Sequence, residues 1–153
     1  MRKLAFRDSN DVIHEIERLQ QNGYERLGQW SLTQICEHLD KTIQMGFNGN
    51  EPRLPWIFRA TLTKWVLDWS IRNNRMPSMR MSTMPSLLPK SDEENDDPQV
   101  IEKCIARYRE ADQYPGPIRN YPLVNHISVE DWRQIQWMHA ARHLGFLIPR
   151  EKA

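Results

Sequence analysis

A chain of 153 residues is the size of one domain around one core, so residues 1–153 are read as a single helical domain. Lysine and arginine total 21 against 20 acidic residues, which leaves no chain-wide electrostatic case for nucleic acid or an acidic membrane as partner. Two cysteines without metal-type spacing, no secretory leader and no apolar run of membrane length exclude a disulfide framework and point to a soluble, cytoplasmic protein.

The first predicted helix is capped by Ser9 or Asn10, carries Val12, Ile16 and Leu19 at helical spacing, and ends at Gly23. The second starts at Ser31, which forms a capping box with Gln34. Leu32, Ile35, Leu39 and Ile43 make its buried stripe as far as about Gly46. Asn48 to Pro52 is a turn. A third helix then opens at Pro55 and carries Trp56, Ile57, Ala60, Leu62, Trp65, Val66 and Trp69. It is apolar over more than one stripe, which predicts core packing on two sides or a subunit contact. With six tryptophans in the chain, the core is expected to lean on large aromatics.

From about Asn73 to Asp97 the helical pattern stops. Pro77, Pro85 and Pro89 punctuate a stretch with Met76, Met79, Met81 and Met84, read either as an adaptable apolar pocket rim or as a mobile crossover. The acidic run Ser91 to Asp97 reads as solvated loop and then as a favourable negative start to a helix. That fourth helix follows Pro98 with Val100, Ile101, Cys104, Ile105 and Tyr108. Pro115, Pro117 and Pro122 keep the next stretch extended. Ser128 caps a last helix with Asp131 in the capping-box position and Val129, Trp132, Ile135, Met138, Leu144 and Phe146 as apolar members, ended by Pro149. No alternating strand run is visible. The fold class is all-α, most simply a four-helix bundle with an added or broken helix.

His139 and His143 lie four apart on the last helix, so their imidazoles stand about one turn apart on one face. The spacing alone arises readily by chance among five histidines and needs a third ligand. His38, on the second helix with Ile35, Leu39 and Thr42 around its face, supplies one. Three neutral imidazoles with no carboxylate on the inner stripe would favour Zn(II), Ni(II) or a similar borderline ion, with one coordination position open to water or substrate. Around them, Gln34 (one turn before His38), Gln136 and His126 are candidates for contacts to the site, though capping duties are the first explanation of Gln34 and His126. Glu37 and Asp40 project to either side of His38. His14 reads as a surface residue and Cys36 as a structural thiol.

The Trp30-Ser31 to His38-Leu39 segment, followed far downstream by His139-x-x-x-His143-Leu144, resembles the DinB/YfiT-like superfamily. The closing run from Ser128 to Phe146 resembles an uncharacterised, domain-of-unknown-function branch of it. The resemblance implies a four-helix bundle of up-down-down-up connectivity, with the long crossover between about Asn73 and Asp97. It implies a divalent metal held by His38, His139 and His143, and a homodimer. Members include transferases and isomerases that use low-molecular-weight thiols such as bacillithiol or mycothiol, and hydrolases.

The expected function is therefore a metal-dependent hydrolase or thiol S-transferase acting on a small molecule, with Arg80 and Arg142 as contributors to a thiol pocket. The alternatives are a non-catalytic metal-binding module, such as a sensor, and a bundle with three unrelated core histidines. Arg142 stands where the branch often carries a further His, and Tyr121-Pro122 where it tends to carry His-Pro, so the substrate does not transfer.

Overall fold

The computed structural model describes residues 1–77, 84–91 and 95–151. Met79, Met81, Arg80 and the acidic residues Asp92 to Glu94 lie outside the described residues. The elements in order are α1 (Ser9–Asn22), β1 (Tyr24–Arg26), α2 (Leu32–Asn48), α3 (Trp56–Ala60), α4 (Leu62–Asn73), a single 3-10 turn (Pro85–Leu87), α5 (Pro98–Gln113), α6 (Val129–Leu144) and β2 (Leu147–Pro149). The described chain is thus mostly helical with one small sheet.

The four longest helices, α1, α2, α5 and α6, pack on one another around one core. Val12, Ile16 and Leu19 of α1, Leu32, Ile35, Leu39 and Ile43 of α2, and Ile101 and Tyr108 of α5 are buried in it. Each such aliphatic side chain contributes about 1.5–3 kcal/mol by leaving water. Contrary to the composition, tryptophan does not dominate this core. Trp132 is the one fully buried indole, whereas Trp56 and Trp65 are 68% and 63% exposed.

Local chemistry explains where the elements begin and end. The first helix is capped by Asp8, whose carboxylate accepts from the Asp11 N–H at 2.9 Å, and not by Ser9 or Asn10. The Ser9 hydroxyl is otherwise engaged, donating to Asp112 at 2.6 Å and accepting from the Trp137 indole at 3.0 Å, so it ties α1 to α5 and α6. The predicted Ser31–Gln34 capping box is present at the head of α2. That helix runs on past Gly46 to Asn48, where Gly49 takes the left-handed conformation. Asp97 and Ser128 cap α5 and α6.

Two expectations fail at the level of elements. The third helix is broken at Thr61 (φ −120°, ψ −99°), whose hydroxyl donates to the Ile57 carbonyl at 2.6 Å and competes with the helical ladder. The pieces α3 and α4 do not form a core helix; only Leu67 and Ser70 are buried. The last helix stops at Leu144 rather than running to Pro149. There Gly145 passes so close to the N-terminal segment that a Cβ would lie 2.7 Å from the Arg2 carbonyl oxygen, which leaves room for no side chain. The Arg2 N–H donates to the Gly145 carbonyl at 2.8 Å. Beyond it β2 pairs antiparallel with β1, Glu25 opposite Ile148. Three-residue strands are too short to show an alternating pattern, which is why none was visible.

Candidate metal centre

Helices α2 and α6 meet along a face where Gly46 makes close approach possible. A Cβ at that position would fall 2.3 Å from the Trp132 indole nitrogen, so any larger residue would push α2 off α6. About two turns up α2 from Gly46, and two down α6 from Trp132, the two helices bring His38 against His139 and His143.

The three imidazoles converge on their Nε2 atoms. His139 Nε2 lies 3.2 Å from His38 Nε2 and 3.0 Å from His143 Nε2, and all three ligand atoms fall within 4.8 Å of one another. His38 Nδ1 sits 2.8 Å from the Leu87 carbonyl oxygen, which can only accept. Nδ1 therefore carries the proton and Nε2 presents a lone pair. With His38 Nε2 unprotonated, no placement of protons gives both short contacts their own donor and acceptor. A cation among the three satisfies all of them. Nitrogens bound tetrahedrally about 2.0–2.1 Å from zinc stand roughly 3.3 Å apart, close to the two separations that His139 makes.

Electrostatics keep these rings ready to bind. Burial lowers His38 below its ordinary value, with Lys41 adding to the effect against the Leu87 hydrogen bond. Burial, then the neighbouring His143, His38 and Arg142, hold His139 well below the usual range. Burial, then His38 and Arg142, brings His143 down to about 3. All three are neutral at neutral pH, the form a metal requires. His139 and His143 keep part of their surface open, whereas His38 is buried.

Two further residues shape the centre. Trp30 stacks on His143 (centroids 5.4 Å apart, planes 13° apart) and leans on His38 at 5.0 Å. It belongs to the same Trp-Ser segment as His38, so its neighbourhood, though not its ring contact, was present in the sequence. Glu37 acts at one remove. Its carboxylate accepts from the Lys90 and Ser91 N–H groups, the Ser91 hydroxyl and Lys41, and so pins the segment that follows Leu87. Burial would raise Glu37, but these hydrogen bonds prevail and hold it at about 2.

A cavity of about 270 Å³ opens beside His143, lined by Gly28, Gln29, Trp30, Ile35 and Phe146. The Leu27 N–H donates to the Phe146 carbonyl at 2.8 Å, so the sheet register holds the cavity's outer wall.

The other candidates lie as follows. Gln34 is committed to the capping box and to the Ser91 carbonyl. Gln136 is buried between Thr42 and Tyr121, where it lowers a tyrosine that burial pushes up. His126 lines a separate cavity with Lys64, Asp68 and Asp131. Arg142 donates to the Pro77 carbonyl at 2.8 Å and faces a third cavity with Arg2 and Arg75. Asp40 faces Arg107 and Lys103, away from the centre. His14 is exposed, and Cys36 is a buried free thiol whose level is raised by its hydrogen bond with Cys104 and by burial.

No curated protein and no solved structure matches this chain. A family model does match, over residues 1–150, carrying the description of a protein of unknown function, DUF1569. Since the match spans nearly the whole chain, including both helices of the centre, the protein belongs to the DUF1569 family.

Proposed function

We propose that this protein is a divalent-metal enzyme of DinB-like type that hydrolyses a small, largely apolar molecule at His38, His139 and His143. The observation that carries the reading is the convergence of three neutral Nε2 atoms beside a cavity. Three histidines leave a fourth coordination position open, whereas structural zinc is closed by four protein ligands. A bound zinc or nickel ion supplies Lewis acidity, lowering the pKa of whatever water or thiol occupies that position.

The protein's own residues do the rest. Leu87 fixes the His38 tautomer through its carbonyl. Trp30 holds His143 edge-on to His38 and shields both rings. Trp30, Ile35 and Phe146 give the cavity apolar walls that select an apolar substrate portion. The DinB-like connectivity belongs to the same proposal: α1, α2, α5 and α6 are its four bundle helices, and its crossover is the connection between α2 and α5, which begins well before the Asn73 expected from the sequence.

A second reading, thiol transfer, rests on one feature. Among the described residues lining the cavity there is no Asp, Glu or Lys to act as a base. A thiol acidified by the ion would need none. Metal analysis of the purified protein beside His38→Ala and His143→Ala decides the common core. We expect one ion per chain in the native protein and loss of it in both variants; retention at the native level in both overturns the centre. Thermal shifts with bacillithiol-like and mycothiol-like thiols then divide the readings. A thiol-dependent shift that vanishes with the metal replaces hydrolysis by transfer.

A further inference from the structure

The paired helices α3 and α4 carry an apolar face that nothing covers among the described residues. Trp56, Ile57, Phe58, Leu62 and Trp65 are 68%, 53%, 52%, 60% and 63% exposed, five large side chains on a segment of ten residues. Leu62, Trp65 and Trp69 follow at intervals of three and four within α4, so they form a ridge on that helix, and the exposed Trp56, Ile57 and Phe58 of α3 precede it across the break at Thr61. The body is gripped from elsewhere on α4. Leu67 and Ser70 are buried, and Gln134 of α6 donates to the Ile71 carbonyl at 2.8 Å. The ridge therefore points outward because the opposite side is already used. Soluble chains seldom leave contiguous apolar surface of this kind without a partner for it.

Charge identifies the partner. Between Arg53 and Arg75 the chain holds five cations (Arg53, Arg59, Lys64, Arg72 and Arg75) and one acid, Asp68: a local +4 within a chain of net +1. Asp68 is consumed by Lys64 at 2.6 Å. The four arginines make no ion pair among the described residues. Arg59 is held beside the aromatic turn by donating to the Leu54 carbonyl at 2.7 Å, and Arg75 lies 5.4 Å from the Trp69 ring centroid. A second copy is a poor occupant, because a two-fold contact would set one +4 face against another.

Exposed tryptophan and phenylalanine on short helices, with arginine and lysine interleaved, is the composition that settles at the boundary between headgroups and acyl chains. We propose that α3 and α4 dock the protein onto an anionic lipid surface. Trp56, Phe58, Leu62 and Trp65 sink to headgroup depth, and Arg53, Arg59, Arg72 and Arg75 take the lipid phosphates. The even charge balance of the whole chain hides this face, because residues outside the segment are net acidic.

Vesicle sedimentation tests it, with phosphatidylcholine vesicles and with vesicles of phosphatidylcholine and phosphatidylglycerol. The full protein should bind the anionic vesicles about tenfold or more strongly than the zwitterionic ones, since each cation near the surface adds to the attraction. Added salt should weaken that binding. Indole fluorescence should shift to the blue. Trp56→Ser with Trp65→Ser should abolish binding, and Arg53→Gln with Arg72→Gln should reduce it. Both pairs should keep the helical circular dichroism and metal content of the native protein, because neither touches the core or the histidines. Equal binding to both vesicle types overturns the proposal. So does failure to bind either, and if the native protein then sediments as a dimer that the double Ser variant dissolves, the ridge belongs to a second copy.

Discussion

His38 shows how much one side chain depends on groups remote in sequence. Its Nδ1 proton is assigned by a carbonyl 49 residues away, and the backbone that follows that carbonyl is held at Lys90 and Ser91 by the carboxylate of its own neighbour, Glu37. At this scale acid is the sharpest probe. In an unfolded chain these imidazoles titrate near about 6.5. In the folded, metal-free protein all three are lowered, His143 to about 3. The unfolded state then binds more protons, so stability is complete above 6.5 and falls as the pH drops toward 3. The melting temperature of chelator-treated protein should decline across that window. His143→Gln should flatten the decline, and an unchanged slope would show that His143 is not held neutral. Which histidines share a helix face could be read from spacing. The proton on each ring could not, because Leu87 reaches His38 only through a turn with no repeating pattern.

At the scale of elements, the approach of α2 to α6 is set by Gly46 against Trp132. Gly46→Ala should cost about 1–3 kcal/mol through overpacking, lowering the melting temperature by roughly 2–4 °C per kcal/mol for a chain of this size. It should also weaken metal binding, since His38 and His139 ride on the same two helices. Calorimetry and metal titration check both, and a variant as stable as the native protein would mean that Trp132 swings aside. Helices with a cap and one apolar stripe, such as α2 and α5, were legible in sequence because local hydrogen bonding and burial agree. The stretch from Trp56 to Trp69 reads in sequence as core packing on two sides or as a subunit contact, and only the first fails, because periodicity reports that a helix has an apolar face and not whether anything covers it. Its opposite side, through Leu67 and Ser70, had already taken the place on the body. The end of α6 was missed for a related reason: Gly145 is chosen by the Arg2 carbonyl from the other end of the chain.

At the scale of the molecule, the fold joins a closely packed half to an appended one. The four long helices carry the core and the three histidines, while α3, α4 and the 3-10 turn lie in the long connection between α2 and α5. This division predicts a large effect of metal removal. A ligand bound only by the folded state at a hundredfold excess over its Kd adds about 2.7 kcal/mol, so chelation should produce a clear fall in melting temperature that zinc or nickel reverses. The contact between His38 and Leu87 carries a further consequence. An ion that holds the His38 ring also holds the strap of backbone from Leu87 to Ser91, and any free energy passed from ion to strap must pass equally from strap to ion. Amide exchange over residues 87–91 should slow on metal addition. Glu37→Gln, which loosens the strap without touching the ion, should weaken metal binding by the same factor by which it erodes that slowing. Unequal factors would mean that ion and strap are not coupled through this contact. Reciprocity makes this short stretch of connecting chain a gauge of whether the centre is filled.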